Sequence, residues 1–384
     1  MPKYVQLLAT KYIRGKKYSP GDFAPVGSQT AEEWIAAGDA VEARNITPKT
    51  LPSEQIAAIR KRKVDIDRSS IKDLVARINA PASIDPNLKV AVGMIVFNGD
   101  HILQGVLESV YPWAYQICIA EGPVKFHAER LGVETSTDKT VEIIRSFPDP
   151  DKKISLVQGT WPEKVDMSNA WLANVKDDAD YVWMFDCDEM YLRSDVDKIL
   201  SLLGPDGYDS VSFRFRSFYG GFDRHMTGWE EAQETHRIQR FYPGATWATH
   251  RPPTINSSKD GKPWRAHKHL PHWEIDAATG IRIFHYSFVF PSQVEMKYLY
   301  YDNLTKGHVV QDGFRRLYLP WMRADEKGKF RIEKEFQGVH HLVRGDNGQC
   351  VCHTIKYGGK HPQWIEDNRA ALEARIREEL TWYE

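Results

Sequence analysis

DYVWMFDCDEMY, residues 180–191, is the stretch whose reading decides the fold. Its first half is an apolar, aromatic run of strand length; its second half crowds Asp186, Asp188 and Glu189 into four positions. Neighbouring carboxylates resist ionisation unless a cation, a hydrogen-bond donor or solvent relieves them. A bound metal, a helix start and plain solvation are therefore the three readings of the cluster. In extended chain, residues two apart point to one side, so Asp186 and Asp188 can address one cation while Cys187 faces away. Hard divalent cations such as Mg2+ and Mn2+ favour such oxygen ligands and bridge them to diphosphate groups.

Working back from this stretch, strand and helix patterns alternate. LKVAVGMIVFNGD (88–100) reads as a buried strand, and HILQGVLESVY (101–111) sets Ile102, Leu103, Val106, Leu107 and Val110 on one helical face after an Asn98 or Asp100 cap. YQICIAEG is a second strand and STDKTVEIIRSF a second helix, capped at Asp138. KISLVQGTW, DMSNAWLANVKDDA and DYVWMF then read as strand, helix and strand. This order predicts an α/β domain with a mainly parallel sheet and ligands beyond the strand carboxyl ends. Asn98, Glu121, Trp161 with Glu163, and the acidic cluster all fall at such ends.

VAVGMIVFN (90–98), STDKTVEII (136–144), SNAWL (168–172) and FDCDEMY (185–191), met in this order, resemble the family 2 type of GT-A glycosyltransferases over roughly residues 88–305. The resemblance implies a GT-A type nucleotide-diphospho-sugar transferase fold. It also implies a Mn2+- or Mg2+-dependent enzyme that moves a sugar from a nucleotide-sugar, here a UDP-sugar, to an acceptor hydroxyl. Asp188 would be the direct metal ligand, Asp186 would contact the ribose or the metal and its water, and Glu189 would support them. In RIFHYSFVFPSQVEMKYLYY (282–301), His285 would complete the metal set and Lys297 would face phosphate. Phe97 would lie against the nucleotide base beside Asn98, Glu121 would bond the base or ribose, and Asp138 would serve the donor or only cap its helix. The chain departs from the pattern where EGPVKFHAERLGVET separates Glu121 from Ser136. It departs again at WATHRPPTI (247–255), where no acid follows His250. The acceptor base must then come from elsewhere, with Asp223, Glu230, Glu231, Glu274 and Asp276 as substitutes and Glu274 the one assigned. Inverting and retaining transfer both stay open.

The flanks read differently. Residues 1–45 form a small strand-and-helix module similar to ones in bacteriophage proteins, with a helix capped by Ser28 or Thr30. A helical linker carrying RKRK fills 46–87, and 306–384 is an extension ending in an amphipathic helix with Ile365, Leu372, Ile376 and Leu380 on one side. A net charge of -1 gives no global field for nucleic acid. The segment 257–276 nevertheless interleaves Lys259, Lys262, Arg265 and Lys268 with Trp264 and Trp273, which suits an anionic acceptor. A hydroxymethylated base of phage DNA and a glycan are the two acceptor classes this suggests. Cys350 and Cys352 with His340, His341, His353 and His361 lack the paired spacing of a zinc site. No secretory or membrane-spanning run is legible and the 4 Cys form no disulfide framework, so a cytoplasmic setting is expected, the host's if the chain is phage-encoded. The competing readings are a carbohydrate-binding protein with a degenerate transferase domain and a haloacid dehalogenase-like phosphatase, whose Asp-x-Asp would open the core.

Overall fold

The computed structural model describes residues 71–78, 84–250, 253–256, 267–304, 312–339 and 352–384, and the backbone of five short strands before residue 43. The chain divides into two compact units, Met1–Ser69 and Ser70–Glu384. In the first unit Lys3–Leu7 pairs antiparallel with Phe23–Val26 and Ala40–Glu42, and Lys11–Ile13 pairs with Lys16–Tyr18. The expected helix with Ser28 or Thr30, the RKRK run, residues 257–266, Cys350, His340 and His341 lie outside the described residues. In the second unit residues 71–78 are helical and bury Leu74 and Ile78 in the main core, and the C-terminal extension belongs to the same unit.

The second unit opens with the alternation read from sequence: β1 (Val90–Val96), α1 (Leu103–Val110), β2 (Gln116–Glu121), α2 (Lys125–Leu131), α3 (Thr140–Ser146), β3 (Ile154–Gln158), α4 (Lys164–Leu172) and β4 (Tyr181–Asp186). β1 is apolar throughout because both of its faces are covered, Val92 and Met94 by one core cluster and Ala91 by the other. Gly93 is required there, since a Cβ would come within 2.2 Å of the Trp171 ring that α4 lays across the strand. α2 falls inside the segment that interrupts the resemblance. Neither Asn98 nor Asp100 caps α1; Asn98 instead adopts φ 49°, a left-handed conformation that Asn tolerates better than most residues. α4 starts with a reciprocal capping box between Glu163 and Asp166.

The chain continues through β5 (Glu189–Met190), α5 (Arg193–Leu200), β6 (Ser210–Phe213), β7 (Phe215–Tyr219), β8 (Arg224–Met226), α6 (Trp229–Ala232) and β9 (Thr235–Arg240). A hairpin of β10 (Thr246–His250) and β11 (Pro253–Asn256) follows, then β12 (His269–Leu270), α7 (His272–Thr279), β13 (Ile283–Phe288) and α8 (Pro291–Leu304). α9 (Leu319–Arg323), α10 (Glu326–Phe336), β14 (Thr354–Lys356) and α11 (Gln363–Thr381) complete the unit.

The main sheet has seven strands in the order β3-β2-β1-β4-β9-β6-β12. β3, β2, β1 and β4 are mutually parallel, so Gln158, Glu121, Val96 and Asp186 end on one edge. β9 runs antiparallel to β4 and β6. This is an α/β architecture with both faces of the sheet covered, α1 packing in one core cluster and α4 in the other. A second sheet, β5-β13-β7-β8-β14, starts immediately after Asp188. Its first pairing sets Glu189 opposite His285, and the Tyr286 amide donates to the Asp188 carbonyl at 2.9 Å. The acidic turn is thereby stitched to β13, and the second sheet meets the edge where the parallel strands end.

Candidate active site

The strand register decides which groups meet. With Asp188 locked onto β13, the alternate residues His285 and Ser287 face it. Ser287 Oγ donates to Asp188 Oδ2 at 2.6 Å and Gln293 Nε2, from the first turn of α8, donates to the same oxygen at 2.8 Å. One turn further along α8, Lys297 Nζ stands 3.8 Å from it. The other oxygen, Oδ1, faces His285 Nε2 at 3.8 Å. Burial opposes ionisation of Asp188, but Lys297 and His285 outweigh it and hold the carboxyl below its ordinary range.

The proton on His285 can be placed by elimination. Its Nδ1 lies 2.9 Å from Ser217 Oγ, and that hydroxyl spends its hydrogen on Glu230 Oε1 at 2.8 Å. Ser217 can therefore only accept from the imidazole, so Nδ1 carries the hydrogen and Nε2 presents a lone pair. The ring is fixed by stacking on Phe215, centroids 4.2 Å apart and planes inclined by 18°. Burial pushes the His285 pKa down to about 4, keeping it neutral near pH 7. An unprotonated nitrogen thus faces a carboxylate oxygen, two acceptors that only a proton or a cation between them can reconcile.

The other acids have different partners from those expected. Arg237 on β9, the strand paired with β4, forks Glu189, with Nε on Oε2 at 2.9 Å and Nη2 on Oε1. The same Nη2 donates to Asp186 Oδ2 at 2.9 Å. Burial would raise Asp186, but Arg237, with His250, His285 and Lys164, holds it well below the usual carboxylate range. Burial and the neighbouring acids push fully buried Glu189 up to about 8 against the pull of Arg237. Asp186 is therefore drawn toward Arg237, and among the described residues no three acidic, histidine or cysteine side chains converge on one cation. The expected three-ligand protein set reduces to the facing pair Asp188 and His285, whose two lone pairs fit a hard divalent ion completed by non-protein ligands.

The residues expected on the donor side form an interlocked pair of loops at the ends of β1 and β2. The amides of Asn98, Gly99 and Asp100 donate to Ser136 Oγ, Thr140 Oγ1 and Asp138 Oδ2 at 2.9, 2.8 and 3.1 Å. Asn98 Oδ1 accepts from the Thr137 amide at 2.8 Å, and Asp138 Oδ1 accepts from the Thr140 amide at 2.9 Å, at the start of α3. Glu121 is fully buried, its oxygens taken by the Ser136 amide, Thr135 Oγ1 and Gln158 Nε2. It braces the loop and has no exposed oxygen for the base or ribose contact expected of it. Phe97 is half-buried and stacks on His127 from α2, with Tyr300 against the same imidazole.

Of the substitutes for the acceptor base, Asp223 pairs with Arg369, Glu231 with Arg282, and Asp276 with both Arg214 and Arg282. Glu230 is buried and bonded to Ser217, 3.9 Å from His285 Nδ1. Glu274 stands in the first turn of α7, where its charge adds to burial in raising the Tyr208 phenol. α7 follows β12, which is three strands from β4 in the sheet. Arg237, Gln293, Ser287 and Ser217 were not legible as site partners. The one sequence signal was Arg237 itself, a cation in the middle of a buried strand. His361, considered for zinc, is committed to Tyr286 Oη at 2.9 Å and the Phe222 carbonyl at 3.0 Å.

Residues 134–258 match the family model for glycosyl transferase family 2, a span holding STDKTVEII, the acidic cluster and Arg237. No curated protein matches the chain. Among solved structures it is similar to residues 1–349 of S. aureus TarS, at 13% identity over 40% of this chain and 47% of that one, with a TM-score of 0.29. A complex of the same TarS fragment with UDP aligns at 10% identity over 65% and 79% of the two chains, TM-score 0.29. A mannosyltransferase from Pyrobaculum calidifontis with GDP-Man and Mn2+ aligns at 18% identity over 42% and 46%, TM-score 0.28. The chain thus spans about half the length of the first TarS fragment and of the mannosyltransferase. No helix among the described residues is long and apolar enough to cross a membrane.

Proposed function

We propose, from the match of residues 134–258 to the glycosyl transferase family 2 model, that this chain moves a sugar from a nucleoside-diphosphate sugar to an acceptor hydroxyl with the help of a divalent cation. The observation that carries this reading is the Asp188 and His285 pair, a carboxylate oxygen and an imidazole lone pair facing each other at 3.8 Å beside Lys297. When bound there, Mn2+ or Mg2+ would offset the charge of the departing nucleoside diphosphate.

The chain's own residues prepare that corner. Ser287 and Gln293 occupy one oxygen of Asp188 and so aim the other at His285. Ser217 and Glu230 set the imidazole tautomer. Lys297 adds a fixed positive charge for phosphate oxygens, and Arg237 offsets Asp186 and Glu189, lowering the local repulsion an incoming diphosphate would meet. Phe97, Asn98 and Asp138 belong to the loops that would border the nucleoside, with Asp138 and Asn98 acting mainly on the backbone. The acceptor side rests on the basic and aromatic segment around Lys268 and Trp273, which suits an anionic polymer such as DNA bearing hydroxymethylated bases.

The test is release of nucleoside diphosphate from UDP- and GDP-sugars, with and without MnCl2, followed by transfer to hydroxymethylated DNA and to glycans. Cation-dependent donor turnover that is lost in Asp188→Asn supports the proposal. Absence of turnover and of nucleotide binding across the donor panel would sink it. Transfer to glycans with none to DNA would overturn the nucleic-acid acceptor alone.

A further inference from the structure

α11 was expected to dock through its apolar stripe, and Ile365, Leu372 and Ile376 are indeed buried. The same helix also buries an acid. Glu379 has no exposed surface, and its Oε2 accepts from both the amide and the hydroxyl of Ser292, at 2.9 and 2.8 Å. Ser292 lies in the first turn of α8, the helix that carries Gln293 and Lys297 to Asp188. On its other oxygen Glu379 accepts from Arg375 Nε at 2.7 Å, and Arg375 Nη2 extends to Asp100 Oδ1 at 2.6 Å. Asp100 is the end of the loop that begins at Phe97, and its own amide is held by Asp138.

His101 closes the circuit. Its Nε2 lies 2.8 Å from Ser292 Oγ, whose hydrogen goes to Glu379, so the imidazole must donate and its Nε2 carries the hydrogen. Burial pushes His101 down to about 4, so the ring is a neutral wedge between the loop and α8. Burial works against Asp100 ionising, yet Arg375 holds its carboxyl below the ordinary range. Close packing keeps the helix in register: a Cβ on Gly105 of α1 would lie 2.2 Å from the Trp364 indole. Burying the Glu379 carboxylate outright beside a part-exposed Arg375 costs desolvation that an apolar residue would avoid, so its place here calls for a role beyond docking.

We propose that Arg375 and Glu379 are positioning residues of the donor site: through Asp100 and Ser292 they hold the β1 loop and the start of α8 at a fixed separation. That separation sets where Gln293 and Lys297 stand against Asp188 relative to the loops that would border the nucleoside. The inference rests on the donor-site reading above. It adds that the site is incomplete without the C-terminal helix, although that helix contributes no group to the Asp188 corner.

The experiment is calorimetric titration of the full chain with UDP and, separately, GDP in MnCl2, with thermal melting of each variant. Arg375→Met should weaken nucleotide binding about tenfold, the loss of one charge-assisted tether. Asp100→Asn, which leaves Arg375 only a neutral amide oxygen and so weakens the same tether without altering α11, should act in the same direction, and carries the test if Arg375→Met does not fold. Arg369→Met is the control on the same helix, because Arg369 pairs with Asp223 and Glu373 away from the loop. It should bind nucleotide as the wild type does even if its melting temperature falls. Unchanged binding in Arg375→Met or Asp100→Asn, or equal weakening in Arg369→Met, overturns the proposal. A wild type that binds neither nucleotide overturns the donor-site reading on which it rests.

Discussion

Removing the Ser217 hydroxyl should weaken a divalent cation at Asp188 and His285 by about 10- to 100-fold, because it releases the imidazole tautomer. In the native arrangement Glu230 takes the Ser217 hydrogen at 2.8 Å, and Ser217 accepts His285 Nδ1–H at 2.9 Å. In Ser217→Ala the Nδ1–H loses a hydrogen bond worth about 1 kcal/mol. The alternative tautomer gains one, since Nε2–H can then donate toward Asp188 Oδ1, 3.8 Å away before any relaxation. A ring in that state has no lone pair for the ion, and binding must first repay the flip. Loss of such supporting partners typically costs 10- to 100-fold in affinity, or about 1.4–2.7 kcal/mol. Phe215 stacking keeps the ring in place, so the effect should appear in affinity and leave folding largely unchanged. Mn2+ titration followed by electron paramagnetic resonance of the free ion reads this without donor or acceptor. Glu230→Gln should act in the same direction and more weakly, because an amide oxygen can still take the Ser217 hydrogen. Equal Mn2+ affinity in Ser217→Ala and wild type would refute the tautomer reasoning.

Asp188→Asn should lower donor turnover by at least ~100-fold while shifting the melting temperature little, since Ser287 can still donate to the amide oxygen; undiminished turnover would remove Asp188 from the site. Arg237→Met should destabilise the fold by about 1–3 kcal/mol in urea unfolding, because it leaves the buried Glu189 carboxyl without its hydrogen-bond donor. Adding Glu189→Gln should recover part of that loss, and a purely additive pair would contradict the coupling. Acid should destabilise the chain before its carboxylates titrate. Burial drives His127 and His361 to about 4 in the fold, so between pH 6.5 and 4 the unfolded chain binds more protons. Their contribution is therefore complete above pH 6.5 and falls as pH drops toward 4, which unfolding midpoints between pH 4.5 and 7 would register as a decline and a flat profile would contradict.

The order of the elements was open to reading before any coordinates, because it rests on local pattern. Apolar runs of strand length alternate with helical faces from Val90 to Asp186, and that rhythm alone places Asp188 at the end of a parallel strand. His285 and Lys297 were found through a resemblance carried by ordered motifs, and the fold sets both beside Asp188. Other readings failed where the deciding quantity was non-local. Glu121 looked like a ligand group because it ends a strand, yet the segment that interrupts the pattern lets Thr135 and Ser136 return to satisfy it. Glu274 was an acid of the right kind, and only the strand order shows that its helix follows β12, three strands from β4.

By itself, then, the sequence determined which residues form the parallel strands and which carboxylates gather at one sheet edge. Only the tertiary structure decided how those carboxylates divide. Arg237 claims Glu189 and Asp186 from 48 and 51 residues away, leaving Asp188 for His285. The cause is strand register: pairing Glu189 opposite His285 and Trp183 opposite Ile238 fixes which side chains share a face, and a slip of one residue would exchange every partner. The buried Glu379 is of the same kind. In the sequence it is one acid in an exposed-looking helix, and its meaning depends on Ser292, 87 residues earlier, lying beneath it.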